Sequence, residues 1–322
     1  MRLALLFPGQ GAQYVGMGQD LLEAGAEVFE AASEALGTSV VELCRDGPLE
    51  RLTRTLHAQP AVVAVSLAAL SALRRESAAR DIPLEPVVAA GHSVGELAAI
   101  SAADGLDLET TFRLVVERAT VMDRACAELN GGMAAVIGLE AALADQACRT
   151  AAAQSGEVVE AANFNAADQT VIAGSVAGLA AASAEATRLG ARRVIPLKVA
   201  GPFHTSLMQG AADAFATRVR LAEFREARIT VVLNGSAREA TSPDALREEL
   251  AVQIARPVRW ADSMARVAAL GIDAAVELGP GQVLSGLARR LLPGTPTLNL
   301  QDRATLTTTL YALARLRDAA VR

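Results

Sequence analysis

Aromatic residues and cysteines are scarce in this chain of 322 residues. Only 3% of the residues are aromatic, so the 52% hydrophobic fraction must fill the core with aliphatic side chains and alanine. The three cysteines form an odd set without a Cys-x-x-Cys spacing, which argues against a disulfide scaffold and against a zinc cluster. The composition therefore predicts a globular protein of the reducing cytoplasm, with no metal site.

An excess of positive charge and long apolar runs are also lacking. Lysine and arginine number 30 against 36 aspartates and glutamates, and the net charge of −6 gives no electrostatic reason to expect nucleic-acid binding. No uninterrupted apolar run approaches the ~18 residues of a membrane helix, so we expect no membrane span. The first apolar run, Leu3–Phe7, is too short for a signal peptide and predicts a buried strand.

The segment Gly91–Gly95 is the most informative motif. It reads Gly-His-Ser-Val-Gly, follows the apolar run Pro86–Ala90 and precedes a helical pattern over 96–103. This strand–turn–helix context is typical of a nucleophile elbow. In such an elbow Ser93 is held at the end of a sheet, and the amide of Val94 points at a developing oxyanion. We therefore predict that Ser93 is a nucleophile.

The remainder of the chain predicts an α/β fold: an α/β-hydrolase-like large domain with a parallel sheet, plus an inserted ferredoxin-like subdomain. Helical patterns alternate with short apolar strands over 1–129 and again over 200–322, as expected for a parallel sheet covered by helices. Between them, 130–199 has the order β-α-β-β-α-β of a ferredoxin-like fold. Helices are predicted over 18–36, 58–78, 110–128, 140–153, 176–188, 206–222, 243–254, 259–270 and 281–292.

A serine hydroxyl needs a base to take its proton, and the chain offers three histidines. His57 opens a helical pattern, where a surface or capping role is expected. His92 is adjacent to Ser93, but neighbouring side chains diverge at an elbow, so we expect His92 in the pocket wall. His204 lies in a Gly-Pro loop just before a helix, a position where catalytic groups of α/β proteins occur. We predict that His204 is the base.

An acid that would complete a triad is harder to identify. In hydrolases with this elbow, the acid lies between the serine and the histidine in chain order. Asp168 lies there, but in a predicted hairpin turn, where aspartate is common for local reasons. We therefore favour a Ser93–His204 dyad with the histidine held by a carbonyl or an amide, and Asp168 is the weaker alternative.

Several motifs together resemble the bacterial malonyl-CoA:acyl carrier protein transacylases over nearly the whole chain. The motifs are, in chain order, Phe7–Gln13, Gly91–Glu96, Glu117–Met122, Asn163–Asn165, Gly201–His204, Gln253 with Arg256–Trp260, and Glu277–Gly281. The resemblance implies the two-part fold described above and transfer of a malonyl group through an ester on the serine of a Ser–His dyad. It implies no cofactor, because the phosphopantetheine is carried by the acyl carrier protein.

The resemblance also implies roles for individual residues. Gln10 joins Val94 at the oxyanion hole, and the backbone carbonyl of Gln253 orients the catalytic histidine. Arg118 matches the arginine that pairs with the malonyl carboxylate. A guanidinium grips a carboxylate through two parallel bonds, which lysine cannot do.

The expected substrate pocket also includes His92, Asn163 and Phe203. In related polyketide acyltransferases, phenylalanine before the catalytic histidine accompanies malonyl, since its ring would crowd an α-methyl group, although one methyl group discriminates only modestly. The implied partners are malonyl-CoA and acyl carrier protein, and the enzyme is expected to be a monomer. Carrier proteins are acidic, so a local basic patch is expected for docking. The candidates are Arg192, Arg193 and Lys198, or Arg289 and Arg290.

Three alternatives share parts of this pattern. A discrete polyketide acyltransferase or the transferase subunit of malonate decarboxylase would look similar, although His92 and Phe203 favour the fatty-acid enzyme. A serine esterase would need a proper acid, and Asp168 is a weak one. The third alternative is a non-catalytic subunit that binds carrier protein. The intact nucleophile, base and arginine argue against it.

Overall fold

The structure, a computed structural model, describes residues 1–320 and contains two β-sheets with their helices. The strands are β1 (Arg2–Phe7), β2 (Glu85–Gly91), β3 (Gly131–Ile137), β4 (Val159–Ala166), β5 (Gln169–Ser175), β6 (Arg193–Pro196), β7 (Thr230–Val232), β8 (Glu239–Ala240), β9 (Ala274–Leu278) and β10 (Thr297–Leu300). The α-helices are α1 (Ala26–Leu36), α2 (Val40–Asp46), α3 (Leu49–Thr53), α4 (Thr55–Ala79), α5 (Gly95–Ala102), α6 (Leu108–Glu128), α7 (Ala141–Ser155), α8 (Val176–Arg188), α9 (Gln209–Leu221), α10 (Pro243–Val252), α11 (Trp260–Ala269), α12 (Val283–Leu291) and α13 (Arg303–Ala320). Short 3-10 helices are formed by Gln19–Leu21, Ser206–Met208 and Gln253–Ala255.

The larger sheet has six strands in the order β10-β9-β1-β2-β7-β8. Its first five strands run parallel, and β8 pairs antiparallel with β7. In the central strand β1, Leu3 and Leu5 belong to one core cluster, whereas Ala4 and Leu6 belong to another on the opposite face. Burial on both faces explains the continuous apolar runs of the strand sequences. The predicted α/β fold with a parallel sheet is confirmed.

Helix α4 runs through the core beside this sheet. By length and composition its 25 residues could cross a membrane, but 83% of its most apolar window is buried inside the protein. The prediction of a buried helix over 58–78 is therefore confirmed. Contrary to the expectation from uninterrupted apolar runs, the chain does contain one stretch of membrane-helix composition, and that stretch is a core helix.

The smaller sheet has four antiparallel strands in the order β4-β5-β3-β6. Helices α7 and α8 pack on one face of it through an alanine-rich core. This strand order is that of a ferredoxin-like fold, as predicted. All four strands lie within residues 131–196. The division of the chain into domains at 130 and 199 stays a prediction.

Strand β4 of the smaller sheet is bonded to the segment that precedes α11. The amide of Phe164 donates to the carbonyl of Val258 at 2.8 Å, and the amide of Val258 donates to the carbonyl of Ala162 at 2.9 Å. The face of the smaller sheet that is free of α7 and α8 carries Met133 and Val171, which belong to the main core cluster with the larger sheet. The smaller sheet therefore faces the carboxyl ends of the parallel strands, where the elbow lies.

Some helices differ from the prediction. The pattern over 18–36 is broken at Gly25 into a 3-10 turn and α1. A Cβ atom at Gly25 would overlap that of Ala68, so glycine allows the start of α1 to approach α4 closely. Helices α2, α3 and α13 were missed; the first two have only 7 and 5 residues, and α13 packs on β10 and α4.

Candidate active site

Ser93 lies on a sharp turn between β2 and α5. Its φ is +54°, a value that a residue with a side chain adopts only under strain. A Cβ atom at Gly91 would overlap the carbonyl oxygen of Gly95, and one at Gly95 would overlap that of Phe7. Both glycines are therefore required for the turn, and the turn presents the hydroxyl of Ser93 at the end of the sheet.

The imidazole of His204 lies directly against this serine. Its Nε2 is 2.7 Å from Ser93 Oγ, and its Nδ1 is 3.1 Å from the carbonyl oxygen of Gln253 and 3.0 Å from that of Arg256. A carbonyl only accepts, so Nδ1 carries the proton and Nε2 is free to accept the serine proton. The predicted pairing of Ser93 with His204, held by carbonyls, is the observed geometry.

No carboxylate of residues 1–320 hydrogen-bonds to this histidine. Asp168, the weaker alternative, instead forms an exposed ion pair with Arg290 on α12, which lowers the pKa of the aspartate. Asp168 therefore does not orient the base, which leaves the dyad that the sequence favoured. Burial and the positive charge of Arg118 lower the pKa of His204 to about 3, so His204 is neutral at physiological pH.

Arg118, on α6, lies behind the serine and is fully buried. Its Nε and Nη2 donate to Gln253 Oε1 at 3.2 and 2.8 Å, and its Nη1 donates to Gln59 Oε1 at 2.8 Å. Nη2 also donates to Ser93 Oγ at 3.1 Å. Burial lowers the pKa of Arg118 to about 10, which leaves it positively charged at neutral pH. A positive charge therefore touches the hydroxyl that would be acylated.

Gln253 has more contacts than the single carbonyl that the resemblance implied. Besides holding His204 through its backbone, it accepts from Arg118, and its Nε2 donates to the carbonyl of Ser93 at 2.9 Å and to Glu96. One buried residue thus connects the base through its backbone, and the guanidinium and the elbow through its side chain.

Asn234 is a site residue that the sequence did not reveal. Its side chain spans the elbow: Oδ1 accepts from the amide of Ser93 at 2.8 Å, and Nδ2 donates to the carbonyl of Gly91 at 2.7 Å. Its own amide donates to Glu96 Oε1 at 2.8 Å. The only available signal was its position just after β7, the strand next to β2, because the ends of parallel strands meet at one edge.

Two backbone amides beside the serine are open. Within residues 1–320, neither the amide of Val94 nor that of Gln10 donates a hydrogen bond. The side chain of Gln10 is 3.4 Å from the hydroxyl of Thr55. Val94 follows Ser93 in the chain, and Gln10 lines the same cavity as Ser93, so their amides can meet an oxyanion that forms on a carbonyl attacked by the serine.

A cavity of about 250 Å³ opens at the serine. Ser93, His204, Gln10 and Gln59 belong to one wall. The smaller sheet and its flanks form the opposite wall, with aliphatic side chains and the side-chain amides of Asn163, Asn165 and Gln169. Those opposite residues include Met133, Ala135, Val171, Leu197 and Val199. Of the predicted site residues, Phe203, His92 and Asn163 line this cavity too. The three that do not line it, Val94, Arg118 and Gln253, are adjacent to Ser93 or contact it.

His92 occupies the pocket wall, as expected. Its Nε2 is 2.9 Å from Asn165 Oδ1 and 3.4 Å from Asn163 Nδ2, and its ring packs at 5.5 Å from that of Trp260. Burial lowers the pKa of His92, so the ring is neutral and Nε2 donates to Asn165. The histidine therefore fixes the end of β4 against the elbow.

Known proteins share this sequence and geometry. A model of the acyl transferase domain matches residues 4–293. The chain belongs to the acyl transferase family. It is 35% identical to the malonyl CoA-acyl carrier protein transacylase of Bacillus subtilis over 322 residues, which cover 99% of each chain. It is 38% identical to that of Escherichia coli over 294 residues, 90% of this chain and 93% of the relative.

Solved structures of the family superpose on the whole fold. The acyl-carrier-protein S-malonyltransferase of Burkholderia pseudomallei gives a TM-score of 0.90 at 35% identity, covering 97% of this chain and 100% of that one. A malonyl-transacylase described in complex with a type II polyketide synthase acyl carrier protein gives the same TM-score and identity over the same shares. The resemblance inferred from the motifs is confirmed.

Proposed function

We propose that this acyl transferase moves the malonyl group of malonyl-CoA to the phosphopantetheine thiol of an acyl carrier protein, through an ester on Ser93. The observation that carries the proposal is the buried, positively charged Arg118 in contact with a serine that is hydrogen-bonded to a neutral histidine. A nucleophile beside a fixed cation suits an acyl group that ends in a carboxylate. The named relatives are described with the same activity.

In the first half-reaction, His204 takes the proton of Ser93 as the hydroxyl attacks the thioester carbonyl. The amides of Val94 and Gln10 bind the oxyanion. The carbon–sulfur bond then breaks, and the imidazolium returns the proton to the departing thiolate of CoA. Arg118 binds the free carboxylate of the malonyl group, which now lies on the serine.

In the second half-reaction, the thiol of the carrier's phosphopantetheine loses its proton to His204 and attacks the ester. The same two amides bind the oxyanion, and the carbon–oxygen bond to Ser93 breaks as the serine regains its proton. Carbonyls rather than a carboxylate hold the histidine, so the transient imidazolium receives no compensating charge from its partners.

The substrate pocket is proposed to consist of His92, Asn163 and Phe203 with the aliphatic wall, with Phe203 disfavouring a methyl branch. Residues 130–199 are proposed to be an inserted subdomain that closes the site. We propose a cytoplasmic monomer that uses no cofactor of its own. For the acidic carrier, Arg192, Arg193 and Lys198 are the better docking candidates, because Arg290 of the other patch is already paired with Asp168.

A second candidate is the same transfer to a carrier protein of a polyketide synthase. The specific support is the structural similarity to the malonyl-transacylase described with such a carrier. Both candidates share Ser93, His204 and Arg118 and differ in the carrier protein alone.

The test is the rate of CoA release from malonyl-, methylmalonyl- and acetyl-CoA, with fatty-acid and polyketide carrier proteins as acceptors. We expect malonyl-CoA to be used fastest and release to depend on a carrier that bears phosphopantetheine. Equal release without any carrier would identify a hydrolase and would contradict the proposal.

A further inference from the structure

The guanidinium of Arg118 has no carboxylate in direct contact within the described part of the chain. The side chain is fully buried, and no carboxylate of residues 1–320 forms an ion pair with it. Buried charges are as a rule paired, because an unpaired charge is costly to remove from water. The guanidinium is thus held in a state that a carboxylate would stabilise.

Two glutamine side chains hold the guanidinium in place of acids. Gln253 Oε1 accepts from Nε and Nη2, and Gln59 Oε1 accepts from Nη1 at 2.8 Å. An amide oxygen fixes the direction of an N–H group but adds no negative charge. Glutamate has nearly the same shape as glutamine, so a carboxylate could stand at either position and would neutralise the cation.

Gln59 is the member of this pair that reaches the cavity. It lines the cavity with Ser93, although only 1% of its surface is exposed. Its Nε2 lies 3.4 Å from the sulfur of Met122, which is a weak acceptor, so its oxygen is turned to the guanidinium. Four of the five N–H groups of Arg118 are bonded to Gln59, Gln253 and Ser93. The fifth, on Nη1, has no acceptor in residues 1–320.

The nearest acid lies on the far side of Gln253. Glu96 is buried there, and burial together with the neighbouring Glu249 raises the pKa of Glu96 well above its usual value. The charge of Arg118 opposes that rise, so the two groups feel each other. No hydrogen bond or ion pair joins them, however, because the side chain of Gln253 lies between them and bonds to both.

We infer that Gln59 is a specificity-determining residue: it orients Arg118 through a neutral oxygen, so that no carboxylate touches the cation until that of the acyl group arrives. This inference rests on the proposed function and deepens it. Selectivity for an acid-bearing acyl group would then depend on a neutral neighbour as much as on the arginine.

The test is the ratio of acylation rates from malonyl-CoA and acetyl-CoA, measured by rapid mixing and intact-protein mass spectrometry. For Gln59→Glu we expect the malonyl-to-acetyl ratio to fall at least about thirtyfold, the effect of removing one desolvated charge pair. For the neutral variant Gln59→Met, which loses the orienting oxygen but keeps Arg118 charged, we expect the ratio to fall by less than about tenfold, the effect of one lost hydrogen bond. Gln146→Glu makes the same chemical change on an exposed helix position and should change nothing.

A second pair of variants keeps the test decisive if Gln59→Glu does not fold. Met122 lies four residues after Arg118 on α6, so Met122→Glu brings a carboxylate to the same guanidinium, and Met122→Gln is its neutral match. We expect the ratio to fall for Met122→Glu and not for Met122→Gln. Thermal unfolding of each variant identifies the ones that are folded.

An unchanged ratio in a folded glutamate variant would overturn the inference, and so would a neutral variant that loses as much selectivity as its charged match. A wild-type protein that is not acylated by malonyl-CoA would overturn the proposed function instead. The two failures are therefore distinguishable.

Discussion

The two walls of the cavity are built from different kinds of residue. The wall at the carboxyl ends of the parallel strands carries Ser93, His204 and the amides that can bind an oxyanion, with Arg118 behind it. The opposite wall, from the smaller sheet, offers aliphatic side chains such as Met133 and Val171 and the side-chain amides of Asn163, Asn165 and Gln169, none of which can act as a nucleophile or a base. The difference separates chemistry from enclosure: one wall forms and breaks bonds, and the other excludes water from them. Changes on the first wall should therefore alter rates far more than changes on the second.

The largest effect is expected for the base on the reactive wall. His204→Ala removes the group that takes the serine proton, so the rate of acylation by malonyl-CoA should fall by a factor of about 10²–10⁴. His57→Ala, at a histidine that lies against the carbonyl of Arg51 and does not line the cavity, is the matched control and should keep the wild-type rate. The acylation rate is measured by rapid quench. A His204→Ala rate within tenfold of the wild type would show that His204 is not the base.

The arginine behind the reactive wall should have the next largest effect. Arg118→Ala removes the cation that we propose for the malonyl carboxylate, so malonyl acylation should fall about 10²-fold relative to acetyl acylation. Arg113→Ala, at an exposed position on the same helix, serves as the control. Parallel assays with the two CoA thioesters measure the ratio, and a ratio equal to that of the wild type would refute the carboxylate role.

Asn234, whose side chain clamps the elbow by bridging Ser93 and Gly91, should have an intermediate effect on the acylation rate. Asn234→Ala leaves the amide of Ser93 and the carbonyl of Gly91 without their partners, which should lower the free energy of unfolding by about 1–3 kcal/mol. We also expect the acylation rate to fall about tenfold, because a small misplacement of a nucleophile is costly. Denaturant unfolding and acylation are measured together, with the exposed Asn130→Ala as control. A loss of stability without any loss of rate would show that the clamp does not position the serine.

A smaller effect is expected from the opposite wall. Val171→Ala removes two methyl groups from a side chain that is 6% exposed, so the free energy of unfolding should fall by about 1–2 kcal/mol. The acylation rate should change less than about threefold, since no reacting group is touched. A fall comparable to that of Asn234→Ala would contradict the separation of chemistry from enclosure.

The smallest effect is expected from pH. With the pKa of His204 lowered to about 3, the folded protein keeps this base neutral far below the value of about 6.5 at which an ordinary histidine takes up a proton. The acylation rate should therefore stay level from pH 8 down to pH 5.5. An ordinary histidine would be largely protonated at pH 5.5, and the rate would fall about tenfold. A pH–rate profile on pre-equilibrated enzyme distinguishes the two, and a tenfold fall would contradict the lowered pKa.

The sequence predicted the parts of the site that are local and missed those that depend on long-range contacts. The elbow at Ser93 is a run of five residues in a strand–turn–helix context, and His204 lies in a recognisable loop. Asn234 reaches Ser93 from 141 positions away, and Gln59 reaches Arg118 from 59 positions away. No local pattern marks such contacts, although a polar side chain inside the apolar helix α4 was a usable signal for Gln59.

For the fold too, local features were predicted and features that depend on long-range contacts were missed. The spacing of apolar residues and the composition predicted the parallel sheet. They also predicted the element order β-α-β-β-α-β that contains the smaller sheet. The break at Gly25 depends on how closely α1 approaches α4, which is a property of packing between helices. The partner of Asp168 could not be predicted for a similar reason, since Arg290 lies on α12, far away in the chain.

The central claim, that Ser93 carries a malonyl group between two thiols, is tested most directly by following the mass of the intact protein. Enzyme is mixed with malonyl-CoA, freed of excess substrate and then given carrier protein with or without phosphopantetheine. We expect a single malonyl adduct, absent from Ser93→Ala, that moves to the phosphopantetheine-bearing carrier and stays on the enzyme with the bare one. An adduct that persists in Ser93→Ala, or one lost equally with both carriers, would contradict the claim.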